Sequence, residues 1–220
     1  MRYIASMEPL RSAGSARHSV DAMARRTAAL INVLTGTDGP DHLEPPADLE
    51  AVGAVLRAYG EVASDDEHGV AERTGRAVGG LAPLALSADD LVEMREAALQ
   101  LRTVFAAEGV DEAAARLNEL LALTEGRLRL SSHRGSSPWH PHLDGDDDGP
   151  WGEWLLATSA LALTVLVWDR QRPPGGICAS TTCRNVFLTQ GSGPVRRYCS
   201  RRCATRERVA AHRRARRTDP

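Results

Sequence analysis

The chemistry open to this chain rests on four side chains. Cys178, Cys183, Cys199 and Cys203 are its only cysteines, and they fall within 26 consecutive positions near the C-terminus. They form two close pairs, Cys-x4-Cys and Cys-x3-Cys, with fifteen residues between them. Two cysteine pairs flanking an insert of hairpin size have the spacing of a structural zinc site. Zn²⁺ takes four ligands in a tetrahedron, and thiolates supply them at roughly 2.3 Å. Two disulfides would use the same four residues. However, the first 30 residues contain no apolar run of the kind a secretory signal needs, and a reducing cytoplasm favours metal over disulfide. One structural Zn²⁺ on all four cysteines, in a cytoplasmic protein, is the expectation.

The elements that must position these cysteines follow from their neighbours. A short knuckle can present Cys178 and Cys183. Cys199 and Cys203 are spaced i, i+4, which places both sulfurs on one side of a helix start. Residues 185–198 (NVFLTQGSGPVRRY) carry Gly-Ser-Gly-Pro between two β-prone arms and predict a hairpin. Knuckle, hairpin and helix together make a treble-clef-like finger over residues 177–217.

Charge sets this tail apart. The formal net charge of −2 conceals a split: residues 1–169 carry 14 Arg against 27 acidic residues, a net −13, and residues 170–220 carry 13 Arg against Glu207 and Asp219, a net +11. There is no lysine, which with the abundant alanine points to a GC-rich bacterial genome. A zinc ion with four thiolates takes two charges away and leaves the tail at about +9. A compact basic module on an acidic body suits a polyanion, most simply nucleic acid. Winding residues 200–217 as a helix puts Arg202, Arg206, Arg213 and Arg217 in one stripe roughly 60° wide, with Arg201, Arg208 and Arg216 beside it. Ala204, Ala210, Ala211, Ala215 and Cys203 fall mostly on the opposite side, where small side chains can press on the hairpin and metal. The arginine face would match a phosphate surface; a solvated tail or a helix docked on the acidic body would use the same residues.

Cys178 and Cys183, the Phe187-Leu188 arm, Arg197-Tyr198-Cys199-Ser200, Cys203-x-x-Arg206, Val209, His212 and the terminal arginines resemble the CGNR zinc finger. That bacterial finger follows an ABATE domain in stress-induced transcriptional regulators. The Cys-Gly-Asn-Arg of the family's name stands here as Cys203-Ala204-Thr205-Arg206, and the second cysteine pair is one residue closer than the family's four-residue gap. The resemblance implies a zinc-dependent DNA-binding finger behind a sensing or assembly body.

That body precedes the finger. Residues 1–20 lack periodicity and read as a loose leader. Residues 21–34 (DAMARRTAALINVL) and 47–60 (ADLEAVGAVLRAYG) have helical spacing, with a Gly/Pro/Asp-rich loop between them. Ile31-Asn32, Asp41-x-Leu43, Pro46-x-Asp48-Leu49 and Gly60 resemble the ABATE opening more diffusely. Ser87 to Asp90 caps a helix with Leu91, Met94, Ala98, Leu101 and Phe105 on one face, ended by Gly109. Residues 111–123 predict another helix. Residues 126–132 (GRLRLSS) alternate like a strand, with 139–143 (WHPHL) as partner and Pro141 confining it to an edge. Residues 154–168 are apolar on every side but, at 15, fall short of the roughly 20 that cross a bilayer; a buried or dimer-forming helix is expected. Residues 170–176 read as a linker. The fold class expected is α+β: a mainly helical body (21–169) with a small β-hairpin, then the finger.

Three further groupings could carry chemistry. Asp144, Asp146, Asp148 and Gly149 begin like an EF-hand loop, but Leu155 stands where the bidentate Glu belongs, so a solvated turn is expected. His140 and His142 share a strand face near His133, which suits either surface histidines or a second metal. Asn32 near Asp41 could line a ligand pocket, although a bracing Asn is the simpler reading. No phosphate-cradling glycine loop, Gly-x-Ser-x-Gly or His-Glu-x-x-His occurs, and four cysteine ligands leave zinc no open position for a catalytic water. The expectation is a non-enzymatic, stress-responsive bacterial transcriptional regulator that binds DNA. A small-molecule or protein effector would act on the body, which could form a homodimer. The alternative is an interaction module that docks RNA or an acidic protein with no DNA role; an enzyme of unknown type in the body ranks third.

Overall fold

The structure, a computed structural model, describes residues 19–35, 45–59, 86–124, 126–132, 139–143, 149–189 and 196–218. The order of elements is α1 (Val20–Thr35), α2 (Pro45–Ala58), α3 (Ala88–Ala106), α4 (Val110–Leu123), β1 (Arg129–Ser131), β2 (His140–His142), α5 (Trp151–Arg170), β3 (Gly175–Ile177), β4 (Val186–Leu188) and α6 (Arg201–Thr218). It is the α+β arrangement the residues predict: a helical body, a small hairpin, a further helix and a cysteine-bearing C-terminal unit.

Local chemistry explains the helix boundaries. Ser19 accepts the Ala22 N–H on its hydroxyl at 3.2 Å and opens α1. Ser87 and Asp90 form a reciprocal capping box at α3, with 3.1 Å from Asp90 N to Ser87 Oγ and 2.8 Å from Ser87 N to Asp90 Oδ2. Leu91, Met94, Ala98, Leu101 and Phe105 are all buried, as their spacing predicts. The end of α3 differs: it stops at Ala106, and Gly109 serves as the N-cap of α4.

Helix α5 is the axis of the body and packs on α1, α3 and α4. At 20 residues it is longer than its apolar run, and long and apolar enough to cross a membrane by length and composition. Its burial accounts for that apolarity: 61% of the apolar window lies inside the protein. Buried Ala157, Ala160 and Ala162 let its neighbours approach closely. At Gly152 the approach is closest, since a Cβ there would stand 2.8 Å from Glu93 Cβ. The α1–α5 seam also holds polar groups. Thr27 Oγ1 donates to Ser159 Oγ at 2.8 Å, and buried Arg26 donates to Thr158 Oγ1 at 2.9 Å with its guanidinium 4.5 Å from the Trp154 ring centroid.

Two strand pairs are present among the described residues. β1 and β2 pair antiparallel with Leu130 opposite Pro141, as expected. The second pair differs from expectation. β4 is the Phe187-Leu188 arm, but its partner is β3, with Gly176 opposite Phe187. Residues 196–198, the described part of the other arm of the expected hairpin, are not a strand. Gly175 and Gly176, placed by composition in a linker, lie in β3 because they are glycines: a Cβ at Gly175 would stand 1.8 Å from the Phe187 carbonyl oxygen. This ribbon packs on α1 and α3. Val186 is buried in the same core as Leu30, Leu101 and Leu163, with Ile177 and Leu188 against it.

Candidate metal centre

The first pair of cysteines sits on the turn between β3 and β4. Cys178 N–H donates to the Asn185 carbonyl at 2.9 Å, and Cys183 N–H to the Ser180 carbonyl at 3.1 Å, closing a knuckle. Ala179 N–H reaches the Arg197 carbonyl at 2.8 Å and ties that knuckle to the segment before Cys199. The second pair straddles the start of α6. Ser200 acts as the cap: its hydroxyl accepts Cys203 N–H at 3.3 Å and its carbonyl accepts Ala204 N–H at 3.2 Å.

These elements bring four sulfurs together. Cys199 Sγ lies 3.7 Å from both Cys183 Sγ and Cys203 Sγ, and all four sulfurs lie within 4.8 Å of one another. A tetrahedron with metal–sulfur bonds of roughly 2.3 Å has edges of roughly 3.8 Å. The separations therefore fit one zinc ion, while 3.7 Å is far beyond a disulfide bond; all four cysteines are free thiols. Cys178, Cys183 and Cys203 are buried and pack with Cys199 and Tyr198 into a cluster of their own. Burial and the neighbouring thiols push the Cys199 thiol up to about 12. Burial also raises Cys183, whereas the Ser200 hydroxyl bond lowers Cys203. Clustered thiols resist sharing negative charge, and a divalent cation removes that conflict. Cys178, Cys183, Cys199 and Cys203 are positioned to bind one zinc ion, whose chemistry is to hold knuckle and helix together with no position left for a reacting water.

The body holds this unit through three side chains, Asn32, Arg102 and Arg170, of which the sequence singles out Asn32. Asn32 on α1 pairs both its amide groups with the Val186 peptide, at 3.0 Å to the carbonyl and 2.7 Å from the N–H. Arg102 on α3 donates to the Arg184 carbonyl and, at 3.3 Å, to Thr35 Oγ1. Arg170 at the end of α5 donates to the Thr189 carbonyl at 3.0 Å and to Asp21 Oδ1 at 2.8 Å. The expectation that Asn32 braces a loop finds its counterpart in β4; Asp41 lies outside the described residues.

The arginines divide into two groups. Arg201, Arg202, Arg208, Arg213 and Arg216 are exposed on α6; Arg217 is in the helix, with its side chain outside the described part. Arg206 is exposed as well, yet it turns back to the metal centre, with Nη2 2.8 Å from Ser180 Oγ and 3.4 Å from Cys203 Sγ. The expected small-residue face holds for half the helix: Cys203 is buried and Ala204 and Ala210 are half-buried, but residues 211–216 are all exposed.

Of the remaining candidates, His140 and His142 are buried rather than on the surface, with their Nε2 atoms 2.9 Å apart. His133, Asp144, Asp146 and Asp148 lie outside the described residues. Among the described residues the four cysteines are the one group of three or more potential metal ligands brought together.

No curated protein matches the chain. Residues 176–217, which span the knuckle, all four sulfurs and the arginine helix, match the family model of the CGNR zinc finger.

Proposed function

We propose that the protein is a DNA-binding transcriptional regulator of the bacterial cytoplasm, without enzymatic activity, in which the zinc finger grips duplex DNA. The ABATE-like body would receive a stress signal through a small-molecule or protein effector, or through pairing of two copies. The observation that carries the reading is helix α6, which presents Arg201, Arg202, Arg208, Arg213 and Arg216 in exposed positions next to the four-cysteine cluster. Glu207 is the one acidic residue among the described positions of that helix, and its carboxylate is engaged by Ser180 and Thr181 rather than by an arginine stripe. Its pKa is lowered, first by the Ser180 hydroxyl. A helix with this cationic surface suits phosphates, and phosphate binding releases counterions.

The test is fluorescence anisotropy of zinc-loaded full-length protein on labelled duplex at increasing salt. Four to six neutralised phosphates give a slope of log K against log salt of about −4 to −5. Arg213→Ala should reduce its magnitude by about one and weaken all sequences alike. Absence of salt-sensitive duplex binding at low ionic strength refutes the reading; preference for RNA or an acidic protein would assign the helix to those partners.

A further inference from the structure

We infer that Arg206 is a positioning residue of the zinc site, with its guanidinium held against a cysteine sulfur and not left to phosphate. It lies three residues past Cys203, so its side chain sits one turn further along the same face of α6. Its Nη2 reaches back to Cys203 Sγ at 3.4 Å and to Ser180 Oγ at 2.8 Å. Ser180 is the other half of the arrangement. It is 5% exposed, sits between the first two cysteines, and its carbonyl accepts the Cys183 N–H that closes the knuckle. Its hydroxyl accepts from Arg206 and donates to Glu207 Oε1 at 2.7 Å, while Thr181 N–H reaches the same oxygen at 3.3 Å. Two consecutive residues of α6, a cation and an anion, thus grip one buried hydroxyl of the knuckle and lock the two cysteine pairs at a fixed spacing.

The electrostatics point the same way. Four thiolates around Zn²⁺ leave the centre at a net −2. A guanidinium hydrogen bonded to one sulfur offsets part of that charge and makes the sulfur a poorer target for protons and electrophiles. One nitrogen, Nη2, makes both contacts, and placing it there needs the reach of Arg. A Lys carries the charge on a side chain one atom shorter and on a more strongly hydrated ammonium. The inference rests on the zinc site and stands whether or not the finger binds DNA.

The experiment uses the full chain with Arg206→Ala, Arg206→Lys, Ser180→Ala and, for comparison, Arg213→Ala. Two quantities are read: zinc affinity by competition with a chromophoric chelator, and the rate of zinc release by a thiol-alkylating reagent. Arg206→Ala is expected to weaken zinc binding roughly tenfold or more and to speed release. Ser180→Ala should move both in the same direction, Arg206→Lys should recover part of the loss, and Arg213→Ala should change neither. Zinc affinities of Arg206→Ala and Ser180→Ala within twofold of the parent overturn the inference. So does a zinc-loaded Arg206→Ala protein with unchanged affinity whose DNA salt slope falls as that of Arg213→Ala does. If Arg206→Ala fails to fold, Ser180→Ala and Arg206→Lys decide alone, by the same twofold limit.

Discussion

Asn32 meets the peptide of Val186 as a neighbouring strand would: its Nδ2 donates to the carbonyl at 3.0 Å and its Oδ1 accepts the N–H at 2.7 Å. The two residues are 154 positions apart, and Val186 follows Cys183 by only three. One side chain of the body therefore fixes the strand that leaves the zinc knuckle. Asn32→Ala would strand both polar groups of a peptide whose side chain is in the core. The expected cost is about 1–3 kcal/mol in chemical denaturation of the zinc-loaded protein. Asn32→Asp keeps the acceptor but turns a carboxylate oxygen towards the Val186 carbonyl, and is expected to cost at least as much. A loss below about 0.3 kcal/mol in both variants would show that the bond contributes nothing net.

Zinc stoichiometry comes next. Purified protein is expected to carry one zinc per chain by elemental analysis, and Cys203→Ser to lose most of it. A unit of this size draws its folding free energy from the metal, on the order of 10–16 kcal/mol in zinc-finger peptides. Protein prepared without chelators that contains no zinc would contradict the site.

Zinc uptake should also move protons. In the metal-free cluster burial and neighbouring thiols hold Cys199 at about 12 and burial raises Cys183, so both are protonated near neutrality. Zinc binds thiolates, so binding releases those protons, and by linkage the affinity rises with pH and falls on acidification. Competition titrations between roughly pH 6 and 8 should show log K increasing with pH, and a dye assay in weak buffer should show acid released on zinc addition. A pH-independent affinity would mean that the thiols ionise before the metal arrives.

Gly175→Ala tests the ribbon that carries the first cysteine pair. The added Cβ would stand 1.8 Å from the Phe187 carbonyl oxygen, a backbone atom that cannot swing aside. β3 and β4 must separate to admit it, at a cost of about 1–3 kcal/mol or more, and zinc affinity should fall with stability. Gly109→Ala is the contrast, since nothing lies within 4 Å of a Cβ there; its melting temperature should shift far less. Equal melting temperatures for the two variants would refute the close contact.

Chelation should be felt unevenly. Removing zinc is expected to raise amide exchange through the knuckle and β4, and to a smaller extent in α1 around Asn32. The α3–α5 seam, with Leu101, Phe105 and Leu163 buried far along the helices, should stay protected. Loss of protection spreading evenly over α1, α3 and α5 would instead mark one cooperative unit.

What the sequence discloses here is what short range decides. Two cysteine pairs spaced for a metal, a Ser87–Asp90 box and the apolar face from Leu91 to Phe105 are each read within a few residues, and each forms as read. The β1–β2 pairing is also local. The misses are choices of distant partners. The Phe187-Leu188 arm has a strand-forming sequence, but nothing in it says that it will pair with glycines 175 and 176. Steric room decides that, because a Cβ at position 175 would collide with the Phe187 carbonyl. Arg102 and Arg170 are ordinary helix residues until the fold puts a carbonyl of the finger before each of them, and Asn32, legible as a brace, gives no sign in sequence of the strand it braces. Arg206 lies on the arginine stripe by angle, and in the structure it turns back to Ser180 and Cys203.

The seating of Val186 in the core of the body has a consequence for inheritance and engineering. By composition the finger looks like a cassette that could be cut near residue 175 and joined to another protein. Such a graft would carry Val186 away from its pocket and leave Asn32 with an unpaired amide, so both donor and recipient would be damaged at the join. The knuckle and the body must change together, each constraining substitutions in the other. The distal half of α6 is exposed from Ala211 to Arg216. New binding preferences can arise there by exchanging side chains alone, while the seam between metal and core stays as it is.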